Sequence, residues 1–342
     1  MYTARRKRPV YCSEETLRSL PDYQRRFERR VQPVNRQIRK NQLIARRRAG
    51  MVGATVLLFA TGLLWMSVSP PPALARLQDA ALGLRLPSGS DDQADSSLFD
   101  TALSVYQVAD TGHLALINTQ HPLETNPALD DLVVVATLVP DNGTDQLLLT
   151  ITLDAISDLF AAARDEQDNL FQMSPFFVAS GHRSWDEQQW LYDNEPDKTL
   201  VQPPGSSEHH TGLAVDVSAV NVSTSKMGSS REGKWLASNA PRFGLVVRYP
   251  QGKQSVTGIA YEPWHLRYLG QPHATYCEKN DLTLEEYLAL LKETGGYRME
   301  IASTTYHVVY QKTADGIVNV PSNRDYTVSS DNTGGYIVTA WE

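Results

Sequence analysis

The first feature of the chain is an apolar run with nothing polar to break it. Between Arg48 and Arg76 no charged residue occurs, and Ala49–Ser69 reads AGMVGATVLLFATGLLWMSVS, 21 residues long. At the helical rise this run is roughly 30 Å long, the thickness of a bilayer's hydrocarbon core. It predicts a single transmembrane helix over 49–69. Beyond it, Ser69-Pro70-Pro71-Pro72 and the polar stretch from Pro87 to Ser97 predict a stalk over 70–97. From Leu98 on, short apolar runs alternate with amphipathic ones. Leu114–Asn118, Leu132–Leu138, Phe176–Ala179, Leu213–Val217 and Leu245–Arg248 predict strands, and Ile156, Leu159, Phe160 and Ala163 fall at helical spacing within Asp154–Glu166. Ser184 with Glu187, and Thr283 with Glu286, have capping-box form and open two more helices, the first to Tyr192 and the second to about Lys292. After Gly295-Gly296 the pattern is all-β, with runs at Val308–Tyr310, Ile317–Val320, Tyr326–Val328 and Tyr336–Thr339. The domain plan is therefore a basic arm over 1–48, a span over 49–69, a stalk over 70–97, a mixed domain over 98–296 and a small β appendage over 297–342.

Charge gives the span a direction. The net charge of −7 over 342 residues hides an asymmetry, because 15 of the 32 lysines and arginines lie within residues 1–48 against four acidic residues. Positive segments stay on the cytoplasmic side, so the arm is expected inside and residues 70–342 outside. A uniformly basic nucleic-acid binder would not divide its charge this way, and no nucleic acid is expected as a partner. Ala73-Leu74-Ala75 offers a signal-peptidase site, but the arm and the apolar run are both long for a cleaved signal. A retained anchor is favoured over cleavage after Ala75. Two cysteines, Cys12 and Cys277, exclude a disulfide scaffold and a four-cysteine zinc module.

Three of the eight histidines lie in two short polar stretches that together suggest a metal site. In Ser207-Glu208-His209-His210-Thr211-Gly212-Leu213-Ala214-Val215-Asp216, a histidine on a turn is followed by a glycine and then by an aspartate on an outgoing strand. Ala214 and Asp216 share one face of that strand, while Leu213, Val215 and Val217 point to the other. In Glu262-Pro263-Trp264-His265, the histidine supplies a third ligand and Glu262 can lie beside it without ligating. Three mixed N/O ligands describe a catalytic zinc site with one position left for water, and a nearby carboxylate can shuttle the proton. His210 is an alternative ligand to its neighbour, with a substrate-facing or supporting role preferred.

The stretches SEHHTGLAVD and EPWHLRY resemble the two motifs of the VanY-type D-alanyl-D-alanine carboxypeptidases. These zinc peptidases are grouped with the VanX dipeptidases and the LD-carboxypeptidases. Further matches run in order: Asn118–Leu123 (NTQHPL), Ser180-Gly181-His182-Arg183-Ser184 with Gln188, Lys234-Trp235-Leu236, Phe243–Pro250 and Thr257-Gly258. The resemblance spans roughly 112–292 and leaves out the arm, the stalk and the β appendage. It implies one zinc ion on His209, Asp216 and His265, Glu262 as general base and acid, and Arg183 stabilising the oxyanion. Ser207 and Gln188, with His210, are implied as substrate-binding residues. His182 stands where tyrosine is usual and His210 where glutamine is common. The implied fold is α+β, a small antiparallel sheet flanked by helices with zinc at one edge. The implied activity is release of the terminal D-alanine from peptidoglycan stem peptides at the outer face of a bacterial cell membrane. An LD-carboxypeptidase acting on tetrapeptides and a non-catalytic wall-binding module remain the alternatives.

Overall fold

The computed structural model describes residues 93–105, 112–125, 127, 131–167, 175–196, 198 and 201–342. The arm, the run over 49–69 and the stalk up to residue 92 lie outside the described residues. Among the described residues no helix is long and apolar enough to cross a membrane.

In chain order the main elements are β1 (Thr101–Ser104), β2 (Leu132–Val134), β3 (Leu147–Leu149), α1 (Thr150–Gln167), β4 (Phe176–Ser180), α2 (Trp185–Asn194), β5 (Ala214–Ala219), α3 (Arg231–Asn239), β6 (Leu245–Tyr249), β7 (Glu262–Tyr268), α4 (His273–Lys279) and α5 (Leu284–Thr294). Five strands follow: β8 (Gly296–Ile301), β9 (Thr304–Gln311), β10 (Ile317–Val320), β11 (Asp325–Ser330) and β12 (Tyr336–Trp341). The architecture is mixed α+β, with small antiparallel sheets. The central one has the order β4-β5-β7-β6.

Strand alternation divides the central sheet into two faces. Val215, Val217 and Ala219 of β5 and Leu266 of β7 join Phe176 and Val178 of β4 in one buried core. Helix α1 covers that face with Ile156, Leu159, Phe160 and Ala163, the helical spacing read from the sequence, and with Leu153. The opposite parity puts Asp216, His265 and Arg267 on the other face. Two bulges interrupt the pairing, one between Val178 and Ser180 and one between Val247 and Tyr249. The second releases Arg248 from the regular ladder, as bulges near sites commonly re-aim a side chain.

The capping boxes at Ser184/Glu187 and Thr283/Glu286 both form. The expected strand over Leu114–Asn118 does not. Leu114, Ala115, Leu116 and Ile117 are buried, but their backbone partners are loops and side chains: Leu114 N–H donates to Ser329 Oγ and Leu116 N–H to the Asp331 carbonyl. An apolar run buried on all sides reads like a strand whether or not another strand lies alongside. Likewise the run from Leu132 is a strand only to Val134, and then tightens into a 3-10 turn over Val135–Thr137.

The C-terminal strands form a sheet of order β11-β12-β9-β8, and β10 pairs with β1. Tyr297, Val308 and Ile337 share a core with Leu269, Ala274 and Tyr276, with Leu284, Tyr287, Leu288 and Leu291 of α5, and with Leu114 and Leu116.

Candidate metal centre

The centre is assembled by a turn and two neighbouring strands. Ser207 opens a 3-10 turn, Glu208–Thr211, that ends at Gly212 with φ of 68°. A left-handed residue here reverses the chain into β5 within one position, and a Cβ on it would meet the Leu132 and Leu149 side chains at 3.1 Å. The turn carries His209, while β5 carries Asp216, which pairs directly with His265 of β7. His265 Nδ1 lies 3.1 Å from Asp216 Oδ1, and His209 Nε2 lies 3.6 Å from the same oxygen. One ligand atom from each of the three residues lies within 4.8 Å of the others. The two rings stand edge to face, at 87° and 5.0 Å between centroids.

Neighbouring groups decide which nitrogen of each ring is free. His209 Nδ1 donates to the Gly181 carbonyl at 2.7 Å, leaving Nε2 as an acceptor toward Asp216. His265 Nδ1 faces Asp216, and its far nitrogen Nε2 lies 3.5 Å from Glu208 Oε2. Tyr249 packs its ring 4.9 Å from that of His265.

Electrostatics separates the acidic groups into two kinds. Burial raises the Asp216 carboxyl, but His209 and His265 outweigh it and hold it well below the usual range. Burial pushes Glu262 up to about 7, with Asp216 adding repulsion against His265 and Arg183. Its side chain keeps 29% exposure, and Oε2 is 3.8 Å from His265 Nδ1, so it is poised to exchange a proton near neutral pH. Burial works against charge on His265, yet Asp216 and Glu208 prevail and hold its pKa up at about 9. Burial and Arg183 push His209 down to about 4.

Arg183 brings a guanidinium to the rim, with Nη2 3.9 Å from Asp216 Oδ2. It is held by Gln188, whose Oε1 accepts from Nη1 at 2.8 Å, and Gln188 Nε2 in turn donates to the Gln202 carbonyl. Both ends of the Gln188 amide thus have a partner inside the protein and the residue is buried, so it braces Arg183. His210 is engaged in the same way. It is fully buried, its Nδ1 donates to the Arg183 carbonyl, its Nε2 accepts from Gly205 N–H, and Trp185 stacks on it at 5.3 Å. With both nitrogens taken and a face covered, it supports the Arg183 loop, one of the two roles the sequence left open. Ser207 is buried at the start of the turn. Sequence reasoning assigned no role to Glu208, Arg248 or Arg267, all buried behind His265. The one signal for the two arginines is a charged residue inside an otherwise apolar strand, as in LVVRY and WHLRY.

The family model for the VanY D-alanyl-D-alanine carboxypeptidase matches residues 146–271, which include every residue of this centre. A D-alanyl-D-alanine carboxypeptidase of Enterococcus faecium is 34% identical over 245 residues, 70% of this chain and 78% of that protein. The putative carboxypeptidase YodJ of Bacillus subtilis (strain 168) is 38% identical over 192 residues, 53% of this chain and 68% of that one. Among solved structures, the vancomycin resistance D,D-dipeptidase VanXYg, in complex with a D-Ala-D-Ala phosphinate analog, superposes with a TM-score of 0.59 at 27% identity, covering 71% of this chain and 98% of that one. These relationships define a hydrolytic peptidase. The chain belongs to the VanY-type D-alanyl-D-alanine carboxypeptidase family.

Proposed function

We propose that this protein is a zinc-dependent D-alanyl-D-alanine carboxypeptidase that removes the terminal D-alanine of peptidoglycan stem peptides. The observation that carries this reading is the convergence of His209, Asp216 and His265, with Glu262 beside them. The donor set suits zinc: two neutral-capable imidazoles and one carboxylate are the N/O mixture of catalytic sites, which keep a fourth position open. When bound, zinc lowers the pKa of a water toward about 7 and polarises a carbonyl.

The other roles fall to the chain's own side chains. Glu262 accepts the proton of the attacking water and returns it to the departing D-alanine amine, and a pKa near 7 suits both directions. Arg183, fixed by Gln188, presents a positive charge where the carbonyl oxygen becomes anionic. Removing one such donor typically lowers kcat about 10²–10³-fold. Arg183→Ala is therefore expected to cut kcat about 10²-fold with zinc stoichiometry unchanged, read by steady-state kinetics and metal analysis. An unaltered kcat would assign Arg183 to structure alone.

The test of the activity uses synthetic stem pentapeptides ending in D-Ala-D-Ala, and the corresponding tetrapeptides, with mass detection of the products. One D-alanine should leave the pentapeptide, a chelator should stop the release, and added zinc should restore it. An intact pentapeptide, or release indifferent to the chelator, would overturn the reading. Cleavage of the tetrapeptide instead would make the protein an LD-carboxypeptidase.

The sequence supports a location to match. The uncharged run over 49–69 beside Arg46-Arg47-Arg48 anchors the chain in a bacterial cytoplasmic membrane, with the arm inside and the catalytic part outside. Protease added to intact spheroplasts should digest residues 98–342 and spare the arm. Full protection of 98–342 would reverse the topology.

A further inference from the structure

Behind His265 lies a buried cluster of charge that the proposed chemistry does not use. Glu208 of the turn, Arg248 of the β6 bulge and Arg267 of β7 are each at most 1% exposed. Arg248 Nε pairs with Glu208 Oε1 at 2.7 Å, and Arg267 Nη1 reaches the same oxygen at 2.8 Å. Each arginine is tied down on its other side. Arg248 makes a two-pronged pair with Glu285 at the start of α5, at 2.7 and 2.8 Å. Arg267 Nη2 donates to the His113 and Ala115 carbonyls, at 3.2 and 3.0 Å.

Both arginines thus converge on a single oxygen, and the second oxygen of Glu208 is left over. Glu208 Oε2 is buried and has no hydrogen-bond partner, and so is His265 Nε2, which faces it at 3.5 Å. Two orphaned polar atoms opposed in a dry interior are each other's available partner, because leaving either unmatched is unfavourable. An imidazole that offers Nδ1 to a cation must carry its proton on Nε2, and that proton would point at Glu208 Oε2. The three carboxyl and guanidinium groups are more than stability requires, since a buried ion pair is often no better than apolar packing of the same volume.

We propose that Glu208 is a positioning residue for His265: clamped through one oxygen by Arg248 and Arg267, it uses the other to hold the imidazole with Nδ1 toward Asp216 and His209. This rests on the zinc reading given above. The clamp also links the ligand to α5 and to the 113–115 segment, so the ring's orientation is set by elements far outside the two histidine motifs.

The test measures zinc, not turnover. Full-length protein stripped by a chelator is titrated with zinc against a competing chelator, in wild-type and Glu208→Gln forms. Loss of such an outer partner typically weakens metal affinity about 10–100-fold, and that drop is expected here in E208Q protein that still melts cooperatively. Because removing a buried charge between two arginines can prevent folding, a second measurement uses the wild type. In ¹⁵N-histidine-labelled, zinc-loaded protein, His265 should carry its proton on Nε2 and His209 on Nδ1. Unchanged zinc affinity in folded E208Q, or a His265 unprotonated at Nε2, would overturn the role of Glu208. Failure of the wild type to bind zinc would instead overturn the metal site itself.

Discussion

Glu262→Gln should lower kcat by about 10²–10⁴-fold, the usual contribution of a positioned general base, while the protein still takes up one zinc. Glutamine has almost the same volume and keeps the oxygen, but it cannot accept a proton. Glu262 is not one of the three converging ligand residues, and its carboxyl makes only a long approach of 3.8 Å to His265. Little of the metal site should therefore depend on its charge. The pH profile adds a signature. The carboxylate is the working form and burial holds its pKa up at about 7, so wild-type activity should fall as pH drops through this ionisation, at a pH set lower by any nearby cation. That limb should be missing from the residual activity of E262Q. Kinetics with metal analysis would decide: near-wild-type turnover, or loss of zinc along with activity, would remove Glu262 from the base role.

Deleting residues 296–342 is expected to unfold the described domain, and not simply to trim it. The buried side chains Tyr297, Val308 and Ile337 are packed directly on α4, α5 and the 114–116 segment. Exposing three such residues costs about 5–9 kcal/mol at 1.5–3 kcal/mol each, comparable to the about 5–15 kcal/mol that holds a whole domain together. A buried hydroxyl chain would be cut as well: Tyr297 OH meets Tyr287 OH at 3.0 Å, Tyr287 OH meets His273 Nδ1 at 2.6 Å, and His273 Nε2 meets Thr339 Oγ1 at 3.0 Å. The deletion also frees the carbonyls that hold Arg267. Ser329 Oγ and the Asp331 carbonyl pin Leu114 and Leu116, and Asn332 Nδ2 donates to the carbonyls of Leu116 and His121. The truncated chain should lose its cooperative thermal transition and its zinc binding together. A truncated protein that melts cooperatively and binds zinc normally would show that the C-terminal sheet is dispensable.

The two histidine motifs were legible because their geometry is local. A turn residue, a glycine and a strand aspartate seven positions on make one bend, and the alternation of β5 already separates Asp216 from the core-facing Val215 and Val217. The helix caps were legible for the same reason, since each is complete within four residues. His210 and Gln188 were less legible, because a polar residue beside a candidate ligand, or one turn into a helix, reads alike whether it faces a peptide or a neighbouring carbonyl. Leu114–Ile117 misled because complete burial, not strand pairing, made it apolar.

Residue order alone could supply the mixture of strands and helices, a candidate three-residue metal site and the expectation of a membrane anchor, each written in runs short enough for backbone periodicity and residue chemistry to specify, while the α+β class was what the family resemblance implied. Only the folded arrangement could join Glu208 to Arg248 and Arg267, and Arg248 to Glu285, pairs 37–59 positions apart in the chain that depend on a strand bulge and on which helix end packs against it. Charge carries no address along a sequence: a buried carboxylate finds its partners through the low polarity around it, and that environment exists only once the sheets and helices have closed.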